Sequence, residues 1–189
     1  MRTTITAQQS AFYTKNGYIE FEQNLTEIFP LIRNPGRDLW RHSPPLQNFL
    51  LRKLAPIALT LSGKTQLRLG CDQLIPASDL PKKAGLLKEL LSLQNLALAA
   101  VISEHPTPPK KQSPLGILPQ PTTSANALFF KPTLILDWPH TTSAIYLAVF
   151  TLPNAVYAHN PHDPQTNYLK PLGYNFGDVL KNEFHPLIF

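Results

Sequence analysis

The sequence predicts a mainly β protein with helices at its N-terminal end (α+β), a sandwich or barrel decorated by helices. Three observations carry that prediction. Apolar residues recur at helical spacing in the first third of the chain, most clearly as Leu46, Phe49, Leu50 and Leu54. The stretch Leu67-Arg68-Leu69-Gly70-Cys71-Asp72-Gln73-Leu74 then alternates with the two-residue period of a strand. From Leu128 onward, short apolar runs are separated by Pro, Asn and Ser, the punctuation of strands joined by irregular connections.

Taken in order, Ala7 to Asn16 is a predicted helix that stops at Gly17, a residue that tolerates positive φ just past a helix end. Tyr18 to Phe21 is a short strand, and Leu25 to Ile32 a further helix with Thr26 as N-cap, limited by Pro30. Ser43-Pro44-Pro45 starts the next helix, with Ser as cap and Pro at the first helical position. Pro56 kinks or restarts it, and Gly63 ends it. After the strand at Leu67, Pro76 to Pro81 is a loop and Leu86 to Leu91 a short helix, while Leu93 to Ile102 is readable as a strand or a buried helix. Pro106 to Pro121 is a stiff, aperiodic crossing loop. Leu128 to Phe130, Thr133 to Trp138, Ile145 to Thr151 and Val156 to Ala158 are the later strands.

A chain of 189 residues fits one domain, for which roughly 100–200 residues is usual. Its helical opening runs to about residue 65, the β core from about 66 to 189, and the Pro-rich loop from about 105 to 121. The net charge of +5 suits anionic partners, but the pairs Lys82-Lys83 and Lys110-Lys111 are isolated, and no basic stripe interleaves with aromatics. Nucleic acid is therefore not an expected partner. A single Cys excludes an internal disulfide and a Cys-rich zinc site, and suits a reducing compartment. Met1 to Gly17 lacks the apolar core of a secretory signal, and Leu86 to Ile102 is too polar for a membrane span. The expectation is a cytoplasmic protein.

Several motifs weigh little. Ala58 to Thr65 nearly matches a phosphate-binding loop, but a helix precedes it and a strand follows, the reverse of what such a loop needs. His159-Asn160-Pro161-His162-Asp163 offers possible ligands, but two prolines make it an extended polar turn. Cys71 reads as a buried, inert thiol and His185 as a packed histidine, with His42 and His105 exposed. Neither a GxSxG elbow nor an HExxH helix is present.

The opening Phe12-Tyr13-x-x-Asn16-Gly17-Tyr18-Ile19, the helix, Gly63 turn and LRLGCDQL strand, and the closing Leu172 to Leu180 followed by Phe184-His185-Pro186-Leu187 together resemble the phytanoyl-CoA dioxygenase family. The resemblance implies a double-stranded β-helix (a jelly roll, cupin-like) behind N-terminal helices. It also implies a chemistry in which two His and one carboxylate hold Fe(II) on the barrel's inner face, leaving positions for 2-oxoglutarate and oxygen. Asp72 matches the carboxylate of the family's His-x-Asp pair, whereas Gly70 stands where the first His is expected. By alternation, Arg68, Gly70 and Asp72 share one face. The second His is expected near Phe130 to Trp138, where Asp137 is the residue able to coordinate, with His140 just beyond. No Lys or Arg lies between Pro132 and Leu169 to pair with 2-oxoglutarate, so Arg68 is the candidate anion partner, or a neutraliser of Asp72.

The expectation is a degenerate, non-catalytic oxygenase-like jelly roll, a pseudoenzyme without cofactor. It would bind or scaffold a small ligand or protein partner at the barrel mouth or the Pro-rich loop. The alternative is a divergent non-haem iron, Fe(II)/2-oxoglutarate-dependent dioxygenase, its metal site rearranged around Asp72 with Asp137 or His140. A third reading, binding to nucleic acid or anionic surfaces through net charge, predicts steep salt dependence.

Overall fold

The computed structural model describes residues 5–22, 28–32, 34–104, 115–124 and 126–189. The first part of the helix expected from Leu25, most of the Pro-rich loop and His105 lie outside these residues.

Helix α1 (Ala7–Asn16) has the expected ends. Thr6 accepts from the Gln9 N–H while the Gln9 side chain caps the Thr6 N–H, and Gly17 closes the helix at φ 81°. Strand β1 (Tyr18–Glu22) follows directly, and β2 (Gly36–Arg37) comes after a 3₁₀ turn at Phe29–Leu31. Helix α2 (Pro44–Phe49) is capped by Ser43 Oγ. Pro56 has no N–H to offer the preceding turn, and Leu50–Leu54 is a wide π turn before α3 (Ala55–Ser62). Gly63 caps α3 in the left-handed region, and the chain runs straight into β3 (Leu67–Ile75) with no helix to present the Lys64-Thr65 pair to a phosphate.

Beyond β3 come β4 (Gly85–Leu86), β5 (Leu96–Ile102), β6 (Asn126–Phe130), β7 (Ile135–Leu136), β8 (Ile145–Thr151) and β9 (Leu187–Ile188). The run from Leu93 is thus a strand, and a central one, buried on both faces. The helix expected at Leu86 to Leu91 is one 3₁₀ turn, and Val156–Tyr157 makes isolated bridges rather than a strand.

Among the described residues the main sheet runs β1-β6-β5-β8-β3-β2, with β9 on β3 beyond β2 and every pairing antiparallel. The helical opening therefore supplies two of its strands. The sheet divides the core in two. One face, with Leu69, Leu98, Ala100, Phe129, Tyr146 and Phe150, packs on Leu46, Leu50, Leu54 and Ala58 of the helices. The other, with Cys71, Ala99, Val101, Leu128, Leu147 and Val149, packs on Leu136 of the small β4-β7 sheet, Trp138, and Tyr157, Tyr174 and Leu180 of the C-terminal segment. The protein is thus three layers deep: helices, main sheet, and a covering of short strands and turns.

The pairing of β3 with β8 contains one irregularity. Leu69 pairs with Phe150 and Cys71 with Val149, so Gly70 is an extra residue, a β-bulge. A Cβ on Gly70 would lie 2.6 Å from Thr151 Cγ2 and 3.3 Å from Leu93 Cδ1. Gly70→Ala is expected to destabilise by about 1–3 kcal/mol, and a Thr151→Ala background to remove most of that cost. Urea denaturation of the four proteins of the cycle measures this, and an equal cost in both backgrounds would contradict the packing.

Candidate functional site

The bulge corrects the face assignment made from strict alternation. Gly70 and Cys71 both face the second core, and Asp72 turns to the helix-covered face, away from Gly70. There Asp72 is fully buried. Its carboxylate accepts from the Tyr146 hydroxyl at 2.6 Å and from the Trp40 N–H at 3.2 and 3.4 Å, while its carbonyl accepts from the Asp38 N–H at 2.8 Å. Burial outweighs these hydrogen bonds and pushes the Asp72 carboxyl up to about 7. Asp72 therefore ties the 3₁₀ turn at Leu39–His42 to the sheet.

Arg68 does not neutralise Asp72. It projects to the second face, where its guanidinium donates to the carbonyls of His185 and, at 3.3 Å, of Pro153. His185 is as buried as its Phe and Pro neighbours suggest. Its Nδ1 contacts the Gly70 carbonyl at 2.9 Å, and Arg41 stands 3.2 Å from its Nε2. Burial, then the Arg41 charge, drives the His185 imidazole down to about 3. The residue at the expected first-His position thus serves through its backbone, as a dock for the C-terminal segment. Asp137 and His140 are brought to each other: His140 Nδ1 lies 2.9 Å from both Asp137 oxygens across the Trp138–His140 turn. The Asp137 side chain is buried and the His140 ring 60% exposed. Their neighbours Leu136 and Trp138 belong to the second core, so the sheet separates this pair from Asp72.

The most developed polar constellation on the second face escaped sequence reasoning. Arg37 of β2 forms a bidentate pair with Asp163, Nη1 to Oδ2 at 2.7 Å and Nη2 to Oδ1 at 3.0 Å, with side-chain exposures of 2% and 0%. Gln73 Oε1 accepts from Arg37 Nε and Nη2 at 3.0 and 2.8 Å, the Leu90 carbonyl accepts from Nη2 at 3.3 Å, and the guanidinium lies 4.7 Å above the Tyr168 ring. Asp163 also accepts from Ser92 Oγ at 2.8 Å and the Gln165 N–H at 2.9 Å. The partners stand 126 positions apart. In the sequence Asp163 looks like one more polar residue of a Pro-flanked turn, and no local pattern marks it as buried. Beside the pair opens a groove in two lobes of about 190 and 410 Å³. It is walled by Pro35, Pro76, Pro81, Pro164, Leu90 and Trp138.

Neither family models nor curated proteins match the chain. Solved structures do. The non-heme alpha ketoglutarate dependent carbocyclase SnoK from nogalamycin biosynthesis aligns at a TM-score of 0.69 and 16% identity, over 98% of this chain and 97% of that one. The alpha ketoglutarate dependent epimerase SnoN of the same biosynthesis aligns at 0.66 and 15%, over 95% and 97%. A 2OG-Fe(II) oxygenase family oxidoreductase from Burkholderia pseudomallei aligns at 0.55 and 12%, over 80% and 93%. The chain has the fold these oxygenases share. No helix among the described residues is long and apolar enough to cross a membrane.

Solved structures with this fold are non-heme and alpha ketoglutarate dependent, and the described residues do not form a ligand set that fits iron. Among the described residues, no group of three His, Cys, Asp or Glu could hold a metal ion. On the second face Gly70 lacks a side chain, and burial pushes the Cys71 thiol up, which favours the uncharged form. Among the described residues, the buried carboxylate oxygen without a hydrogen bond, Asp38 Oδ1, belongs to a group paired with Arg41 and next in the chain to Arg37, on the Asp72 side of the sheet.

The two shifted groups make opposite contributions to stability. Asp72, raised from 3.8, contributes stability that is lost as pH rises toward about 7; His185, lowered from 6.5, contributes stability that is lost as pH falls toward about 3. The advantage of wild type over Asp72→Asn should shrink as pH rises from about 4 to about 7. Its advantage over His185→Gln should grow with pH up to about 6.5. Urea denaturation at a series of pH values reads both, and pH-independent differences would contradict the two burial environments.

Proposed function

We propose that the protein is a binding module built on an oxygenase fold, one that takes a small ligand and does not carry out Fe(II)/2-oxoglutarate oxidation. The architecture is read as a double-stranded β-helix, and the chain as a divergent relative of the phytanoyl-CoA dioxygenase family. Its helix-to-strand opening, the order of its helices and β3, and its closing segment around His185 support that placement. The observation that carries the functional reading is the bulge at Gly70. It turns Asp72 to the helix-covered face, and the space where a side chain at 70 would stand is filled by Thr151. A carboxylate held by Tyr146 and Trp40 acts as a structural tie, and the Asp137-His140 pair alone is too small a ligand set for iron. The ligand is assigned to the groove beside Arg37 and Gln73, whose volume falls in the range of small-molecule sites, roughly 300–1,000 Å³. The lone, buried Cys71 supports a reducing, cytoplasmic setting.

The second reading, a divergent oxygenase, draws on the near full-length fold match to SnoK and SnoN. Anaerobic calorimetric titration of metal-stripped protein with Fe(II), then 2-oxoglutarate, separates the two. Heats indistinguishable from dilution are expected. Micromolar binding of both, abolished by Asp72→Ala or His140→Ala, would overturn the binding-module reading.

A further inference from the structure

The contacts around Asp163 are those of a carboxylate receptor. A guanidinium presents two parallel N–H groups to the two oxygens at 2.7 and 3.0 Å, the Ser92 hydroxyl reaches Oδ2 at 2.8 Å, and the Gln165 N–H reaches Oδ1 at 2.9 Å. The guanidinium is itself held in orientation by Gln73, the Leu90 carbonyl and the Tyr168 ring. The guanidinium is thus held by groups other than the carboxylate it grips. That group arrives on a surface turn: Pro161, His162 and Pro164 are exposed, and Asp163 between them is buried. Arg37, Gln73, Pro164 and Gln165 line the groove as well, so receptor and groove are contiguous.

We propose that Arg37, Ser92 and the Gln165 N–H form a receptor for the carboxylate of a small-molecule ligand, a place that Asp163 fills in cis until a ligand in the adjoining groove displaces it. This deepens the binding-module reading and rests on it. Asp163 competes as an intramolecular group at an effective concentration on the order of millimolar or above, so a bare carboxylate is weak and a ligand gains from apolar contact with the proline walls. The chemistry selects against neutral isosteres. An amide in the same place would set an N–H₂ donor against guanidinium donors, whereas a carboxylate accepts from all of them.

The test compares wild type and Asp163→Gly, titrated with sodium acetate, acetamide and sodium chloride at matched ionic strength. Thermal unfolding and ¹⁵N–¹H amide shifts are the readouts. In Asp163→Gly, acetate is expected to raise the melting temperature saturably and to shift the Ser92 and Gln165 amides, while acetamide and chloride do neither. In wild type the same amides are expected to shift with acetate at least tenfold less sensitively. An acetate effect no larger than that of chloride would overturn the receptor, as would one surviving in Asp163→Gly/Arg37→Met. Should Asp163→Gly not fold, wild type decides: unmoved Ser92 and Gln165 amides at 0.3 M acetate overturn the proposal. Equal shifts of the Leu90 and Trp138 amides with acetate and acetamide, with Gln165 unmoved, would overturn the carboxylate receptor while leaving a ligand-binding groove in place. Iron binding would instead remove the reading beneath it.

Discussion

A single extra residue in β3 determines which side of the sheet each of its polar groups meets. Side chains along a strand alternate, so a bulge at Gly70 reverses the faces of everything beyond it relative to Arg68. Without it, Asp72 would stand on the face of the second core. With it, Asp72 is committed to Tyr146 and Trp40 beneath the helices, and Gln73 becomes available to Arg37. The bulge is stabilised from both sides. Thr151 and Leu93 fill the space over Gly70, and His185 fixes its carbonyl, so the C-terminal segment docks on the same irregularity.

The second face shows how the interior accommodates charge. Two ions buried together lose most of their hydration, and their attraction offsets that loss only when geometry is good and remaining donors and acceptors are satisfied. Arg37 and Asp163 meet both conditions, through the bidentate contact and through Gln73, Leu90, Ser92 and Gln165. The pair links an N-terminal strand, β3 beside it and a C-terminal turn. Removing either member alone leaves the other buried and unpaired, which makes this cluster more sensitive to substitution than the Asp137-His140 pair with its exposed imidazole.

Much of the scaffold was legible because local rules acted unopposed. The Ala7 to Asn16 helix with its Gly17 stop, the Ser43-Pro44 helix start, the Gly63 stop and the strand character of Leu67 to Leu74 each rest on caps or periods that need only neighbouring residues. The buried Cys71 and His185 followed from composition around them. The site was far less legible. Alternation could not announce a bulge, because the residue that permits it, Gly70, also reads as an ordinary member of the strand. Arg37 and Asp163 sit in short segments rich in Pro, where exposure is the reasonable expectation, and only the fold brings them together. Leu93 to Ile102 stayed ambiguous between helix and strand because a strand buried on both faces shows no period.

The most direct measurement is an anomalous difference map from crystals soaked in Mn(II), collected with the carboxylates of Asp72, Asp137 and Asp163 in view. No manganese peak is expected within coordination distance of these groups, with Asp72 still bonded to Tyr146 and Trp40 and Asp163 still gripped by Arg37. A peak coordinated by Asp72, or by Asp137 with His140 and a further protein ligand, would contradict the assignment of these carboxylates to structure and would restore a metal to this fold.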